Sequence, residues 1–230
     1  VLGQSGVGIV YKAVIDSGIN VAVRRLGEGG EQKCKEFEEL VRTIHHLKHP
    51  HVVRLHSYYW APTEKLLIYD FLPNGSLDTA LHGSAEGLLT WERRLRICKG
   101  ASLGIAYIHD CSPRKHVHGG IKPSNILIDS NWDARIADFG LQRLLSLVGD
   151  APRKEVQIKK VDSQRAPETA TAKKPSQKSD VYSFGVVLLE ILTGRSAFAQ
   201  LASGELDLVT WTKLALQEKR PFTEIFDPYL

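Results

Sequence analysis

The stretch HVHGGIKPSNILID, residues 116–129, carries Lys122 and Asn125 at the spacing of a loop that moves a phosphate group. Further on, Asp138 opens the tripeptide Asp-Phe-Gly. The chemistry also calls for a carboxylate to take a hydroxyl proton. Where it should stand, just after His118, there are two glycines, Gly119 and Gly120. The frame of a phosphate-transfer site is present without its base. A blander reading stands beside this one: Asn125 and Asp138 satisfy backbone groups around a tight loop, and Asp-Phe-Gly supplies a turn with Phe139 in the core.

The elements that must position these residues follow from periodicity. GIVYKAVI, INVAVRRL, VVRLHSYYW and KLLIYDFL are short apolar stretches separated by turns, the pattern of antiparallel strands. Between them, residues 31–48 place Phe37, Leu40, Val41, Ile44 and Leu47 in one arc at about 100° per residue, which predicts an amphipathic helix lying against the sheet. After the turn PNGS the pattern becomes helical in LTWERRLRICKGASLGIAYIHD, DVYSFGVVLLEILTG and LVTWTKLALQE. Strands first and helices afterwards predict an α+β protein, with a small antiparallel sheet lobe over residues 1–72 and a larger, mainly helical lobe over residues 73–230. Residues 141–164 show no steady periodicity and are read as a long loop, and residues 169–179 continue in the same Lys, Ala, Ser, Thr and Pro composition.

Bulk properties exclude several classes. The chain has 230 residues, 43% of them hydrophobic, enough for a sizeable core. The formal charge of +4 is scattered apart from residues 153–178, so nucleic-acid binding is not expected. The cysteines, Cys34, Cys98 and Cys111, number 3 and lack metal-ligand spacing, which argues against a disulfide framework or zinc site and for a reducing compartment. The longest apolar run, FGVVLLEIL, is too short to cross a bilayer and carries Glu190. With no start methionine, the chain is expected to be an excised piece, its last helices either cut off or divergent.

Taken in order, LGQSGVGIVYKA, VAVRRL, HVHGGIKPSN, Asp-Phe-Gly, Ala-Pro-Glu at 166–168 and DVYSFGVVLLEILTGR resemble the protein-kinase signature set, over almost the whole chain. KLLIYDFLPNGSLDTALHG, LTWERRLRI and FGVVLLEILTGR resemble the cytoplasmic domain of plant leucine-rich-repeat receptor-like kinases, in particular a subgroup whose catalytic loop reads His-Gly instead of His-Arg-Asp. The resemblance implies a two-lobed kinase fold. It also implies a nucleotide cleft under a Gly-rich loop at Gly3, Ser5 and Gly8, with Val10 and Ala22 lining an adenine slot. Arg24 and Lys122 would face the phosphates, a hinge would run from Tyr69 through Asp70 and Phe71 to Leu72, and Asn125 and Asp138 would be magnesium ligands. Asp180 and Glu168 would brace the large lobe.

The departures from that pattern are concentrated in the working parts. Ser5 replaces the second glycine of the loop, and its Cβ crowds the approach of backbone N–H groups to phosphate. Arg24 replaces the third-strand lysine; it keeps the charge but not the geometry of a compact ammonium. Leu40 stands where the family has a helix glutamate, and nothing on that face of the helix can pair with Arg24. Either Leu40 is packed in the core or the helix turns to present Glu39. Turning it would expose Leu40 and Ile44 at about 1.5–3 kcal/mol each, which favours packing. Gly120 replaces the proton acceptor, a loss of about 10²- to 10⁴-fold in rate, and Gly119 replaces the arginine that receives a phosphorylated activation loop. Phosphoryl transfer draws mostly on positioning and electrostatics, so the missing base alone does not settle the matter.

The expectation is a pseudokinase: a signalling module with no catalytic residue set intact, binding ATP and Mg2+ weakly at most. Its partners would be other proteins, an active receptor kinase or signalling substrates. It would sit at the cytoplasmic side of the plasma membrane through an upstream segment outside this chain. A slow or atypical Ser/Thr kinase and an ATP-operated conformational switch are the alternatives. Ser146, Ser163, Thr169 and Thr171 are candidate phosphorylation sites for another kinase.

Overall fold

In the computed structural model the described residues are 1–5, 8–16, 18–27, 33–83, 89–111, 116–148, 163–170 and 175–230. Gly6, Thr171, Glu31 and most of the basic stretch at 153–178 lie outside them. Strands β1 (Gly3–Ser5), β2 (Gly8–Val14) and β3 (Asn20–Gly27) precede helix α1 (Cys34–His46), and β4 (Leu55–Ala61) and β5 (Glu64–Asp70) follow it. The five form one antiparallel sheet in the order β1-β2-β3-β5-β4. The face of α1 turned to the sheet is the apolar arc: Phe37, Leu40, Val41 and Ile44 are buried, and Phe37 lies 4.5 Å from the ring of Trp60 on β4.

The larger lobe is helical. Helix α2 (Leu77–His82) begins at the cap Ser76, whose side chain accepts from the Thr79 N–H. Helix α3 (Trp91–Asp110) starts at Thr90 in the same way. Its Gly104 faces a close approach of the chain: a Cβ there would lie 2.3 Å from the carbonyl oxygen of His51. Two three-residue strands that sequence periodicity did not reveal, β6 (Ile126–Ile128) and β7 (Ala134–Ile136), pair antiparallel beneath the sheet lobe. At their ends the Ala137 N–H donates to the Asn125 carbonyl at 2.9 Å, which ties the pair to the loop at 118–125.

The expected loop over residues 141–164 needs correction. Its first part is helix α4 (Leu141–Val148), with Leu141, Leu144, Leu145 and Val148 buried. These are spaced i, i+3, i+4, i+7, one helical face, and they join Leu40, Val41 and Ile44 of α1 in a single core cluster. Residues 149–162 lie outside the described set. Helix α5 (Gln177–Thr193) follows, opened by a reciprocal cap between Ser176 and Ser179, and α6 (Ala197–Ser203), α7 (Leu208–Gln217) and α8 (Phe222–Ile225) complete the chain. The fold is α+β, an antiparallel sheet lobe joined to a helical lobe.

Candidate functional site

The loop carrying His118, Gly119 and Gly120 hangs from a single carboxylate. Asp180, buried in the first turn of α5, accepts from the backbone N–H of His118 at 2.7 Å and of Gly119 at 2.8 Å, and His109 of α3 donates to it at 2.9 Å. Glu168, the other expected brace of the large lobe, lies in the short turn Pro167–Ala170 and is exposed. The imidazole of His118 is buried, and burial pushes its pKa down, against the raising influence of the Ala137 carbonyl and the nearby carboxylates. Its hydrogen bonds suit the neutral ring: Nε2–H donates to the Ala137 carbonyl at 2.8 Å, and Nδ1 accepts from the Gly120 N–H at 3.1 Å.

Gly119 has φ +70°, and a Cβ there would meet Pro175 at 3.0 Å, so the position suits glycine. Gly120 differs. A Cβ there would meet only ordinary contacts, Asn125 Nδ2 and His118 Nδ1 both at 3.6 Å. Asn125 closes the loop by donating its Nδ2–H to the Gly120 carbonyl at 2.8 Å, while Lys122, part-buried, leads into the tight turn Pro123–Asn125.

Opposite this loop, Arg24 of β3 is registered between Val10 of β2 and Leu67 of β5. Its Nη2 lies 2.7 Å from Asp138 Oδ1, with the two side chains 13% and 16% exposed. The face of α1 holds no acid for Arg24, and its partner comes instead from Asp138, remote in the chain. Asp138 itself is in the left-handed region at φ 65°, with Phe139 buried behind it. Leu40 is 8% exposed within the core cluster; Glu39 points to solvent and Glu38 pairs with Arg42 at 3.9 Å. α1 is therefore in the packed orientation.

The remaining candidates are distributed along the cleft. Gly3, Ser5 and Gly8 form the β1–β2 hairpin, with Ser5 paired to Gly8 across its tip. Ala22 pairs with Tyr69 across β3 and β5. The Tyr69 hydroxyl is buried without a hydrogen-bond partner, and that burial pushes its pKa well above the ordinary phenol value, although the Arg24 guanidinium opposes the shift. Asp70 turns its carboxylate to His56, at 2.6 Å, and to Arg135, at 3.4 Å. Leu72 is buried with Val53 and Ala137. Of the candidate phosphorylation sites, Thr169 is buried and its hydroxyl is engaged with the Ala166 carbonyl, whereas Ser146 is exposed.

Two buried polar networks escaped the sequence. Arg94 of α3 is buried, bonded to the carbonyls of Leu89 and Ile191 and paired with Asp227 at 2.5 Å. Glu190 of α5, also buried, accepts from Gln164 at 2.7 Å and from His82 at 3.1 Å, tying α2 and the segment at 163–170 to α5. Neither has a local sequence signal, because Ile191 and Asp227 are remote from Arg94, and His82 and Gln164 from Glu190.

The family model described as protein tyrosine and serine/threonine kinase matches residues 1–221, and the chain belongs to that family. Over its full length it is 41% identical to a probable inactive leucine-rich repeat receptor-like protein kinase of Arabidopsis thaliana, and 44% identical to the leucine-rich repeat receptor-like protein kinase PXC1 of the same plant, covering 35% and 36% of those chains. The chain thus spans about a third of the length of these curated relatives. Among solved structures it is similar to the pseudokinase domain of BIR2, an immune regulator of the RLK/Pelle family, with a TM-score of 0.78 and 35% identity over 100% of this chain and 67% of that one. It is a protein-kinase domain of the plant receptor-like kinase type. Among the described residues no helix is long and apolar enough to cross a membrane.

Proposed function

We propose that the chain is a pseudokinase signalling domain, of the receptor-like kinase subgroup whose catalytic loop reads His-Gly. It works by binding partner proteins, an active receptor kinase or signalling substrates, with little or no phosphotransfer of its own. The observation that carries this reading is the Arg24–Asp138 ion pair at 2.7 Å. In a working kinase the third-strand cation faces phosphate and the carboxylate of Asp-Phe-Gly faces magnesium. Here the two neutralise each other, and Leu40 offers no competing acid that would draw Arg24 away. A magnesium ion at Asp138 must first displace a guanidinium from a mostly buried pair, so ATP and Mg2+ bind weakly at most. Gly120 removes the proton acceptor independently. The names of the similar Arabidopsis and BIR2 proteins, one probable inactive and one a pseudokinase, support the same reading for this chain. In the full-length protein the domain lies on the cytoplasmic side of the plasma membrane, held there by an upstream segment.

The test is transfer of labelled phosphate from ATP, with magnesium, to the domain itself and to a general protein substrate. The expected result is no incorporation above that of an Asp138→Ala variant. Magnesium-dependent incorporation that Asp138→Ala abolishes would overturn the proposal.

A further inference from the structure

A cavity of about 320 Å³ opens beside the segment joining α1 to β4, lined by Lys48, His49, Arg54, Asp70 and Arg135 among others. Its electrostatics are one-sided. Three fixed cations face a single carboxylate, and that carboxylate, Asp70, is already held by His56 at 2.6 Å and Arg135 at 3.4 Å. Among the described residues the side chains of Lys48 and Arg54 make no hydrogen bond or ion pair, and Lys48 is anchored only through its backbone N–H to the Tyr107 hydroxyl. Arg135 reaches Asp70 and Asp129 with its terminal nitrogens but leaves Nε buried without a partner. The only other orphaned buried side-chain atom among the described residues is the Tyr69 hydroxyl. His49 adds a neutral donor: its ring stacks on Tyr107, and Nδ1 accepts from the His51 N–H at 3.2 Å, which leaves the proton on Nε2.

An unpaired guanidinium and an unpaired ammonium, with a third cation in the same lining, are the donor set that recognises a phosphate monoester. The cavity does not end there. At Pro50 it adjoins a second one of about 500 Å³, lined by Leu95, Arg96, Lys99 and Asp133. Arg96 is occupied by the Asn131 carbonyl and Asp133, while Leu95 is 48% exposed. The two form a basic trough with an apolar step. A membrane headgroup would present its phosphate from a flat surface; two cavities that share Pro50, with Arg54 in one lining and Lys99 in the other, suit an extended chain.

We propose that this trough binds an acidic, phosphate-bearing peptide segment of a partner protein, with the phosphate seated among Lys48, Arg54 and Arg135. The site shares Asp70 with the candidate hinge but seats its phosphate on residues outside the nucleotide cleft, and it stands whether or not the domain transfers phosphate.

The test uses the whole 230-residue chain. Its binding is measured to a degenerate library of acidic peptides with a central phosphoserine, to the same library unphosphorylated, and to phosphatidylcholine vesicles with and without a phosphoinositide. The variant is Lys48→Ala with Arg54→Ala, both exposed residues, and the control is Lys178→Ala with Lys213→Ala, exposed elsewhere. Phosphorylated peptides are expected to be retained, to be displaced by inorganic phosphate, and to bind about tenfold more weakly for each charge-assisted hydrogen bond that the variant removes, with the control unchanged. Equal retention of both libraries, undiminished binding by the Lys48→Ala/Arg54→Ala variant, or binding of phosphoinositide vesicles alone would each overturn the proposal.

Discussion

Arg24 and Asp138, separated by 114 positions in the chain, meet at 2.7 Å across the cleft, so the two residues that the kinase resemblance sets against phosphate and metal hold each other. The pair is mostly buried, and a buried ion is costly once its partner is removed. Asp138→Asn, which tolerates the positive φ, is therefore expected to lower stability by up to about 3–5 kcal/mol. The double variant Arg24→Met/Asp138→Asn should recover most of that loss. Urea denaturation of the wild type, both singles and the double gives the coupling directly, and additive losses would show that the pair contributes nothing.

Helix α4 and Leu40 make a second case. Leu144 is fully buried in the cluster that also holds Leu40 and Ile44, so Leu144→Ala should cost about 2–5 kcal/mol. Leu40→Glu restores the acid of active relatives on paper, but it buries a carboxylate against α4 while Arg24 is already engaged. It is expected to cost about 3 kcal/mol or more. A Leu40→Glu variant as stable as the wild type would mean that Arg24 readily leaves Asp138.

The two glycines of the loop should respond differently. Gly119→Arg forces a side chain into φ +70° against Pro175 and should destabilise by about 1–3 kcal/mol. Gly120→Asp meets only ordinary contacts and should fold with stability within about 1 kcal/mol of the wild type, yet show no phosphotransfer, because Arg24 and Leu40 are unchanged. Thermal melts and a labelled-phosphate assay on both variants check this.

His118 gives a pH dependence with a definite sign. Its pKa in the folded protein is lowered, chiefly by burial, so below the unfolded value of about 6.5 the unfolded chain binds the extra proton and the folded one resists it. The stability associated with His118 is complete above about pH 6.5 and declines as the pH falls from there through the lowered folded value, by at most about 1.4 kcal/mol per pH unit. Denaturation at a series of pH values for the wild type and His118→Gln should show a shallower acid decline in the variant. Identical slopes would contradict a buried neutral imidazole.

Much of the fold was legible because its signals are local. The arc of Phe37, Leu40, Val41 and Ile44 needs only one helical period to be seen, and Ser176 and Ser179 cap α5 within three residues. α4 was missed although Leu141, Leu144, Leu145 and Val148 carry the same period, because the charged and small residues that follow dilute it over a longer window. Strands β6 and β7 are too short for alternation to register. The site was legible as a set of substitutions, Arg24, Leu40, Gly119 and Gly120, but not as an arrangement. Nothing near Arg24 in sequence announces Asp138, and Arg94 looks like one more surface charge in WERRLR until Leu89, Ile191 and Asp227 close around it.

Arg24 occupies the Asp138 carboxylate, and the melting temperature of the domain against ATP, with magnesium and with chelator, tests most directly whether that contact excludes a metal ion. A ligand of the folded state stabilises it by RT ln(1 + [L]/Kd), and for a chain of this size about 1 kcal/mol corresponds to about 2–4 °C. The account predicts a shift of no more than about 1–2 °C at millimolar ATP, the same with magnesium as with chelator. A shift of several degrees that requires magnesium and disappears in Asp138→Ala would contradict it.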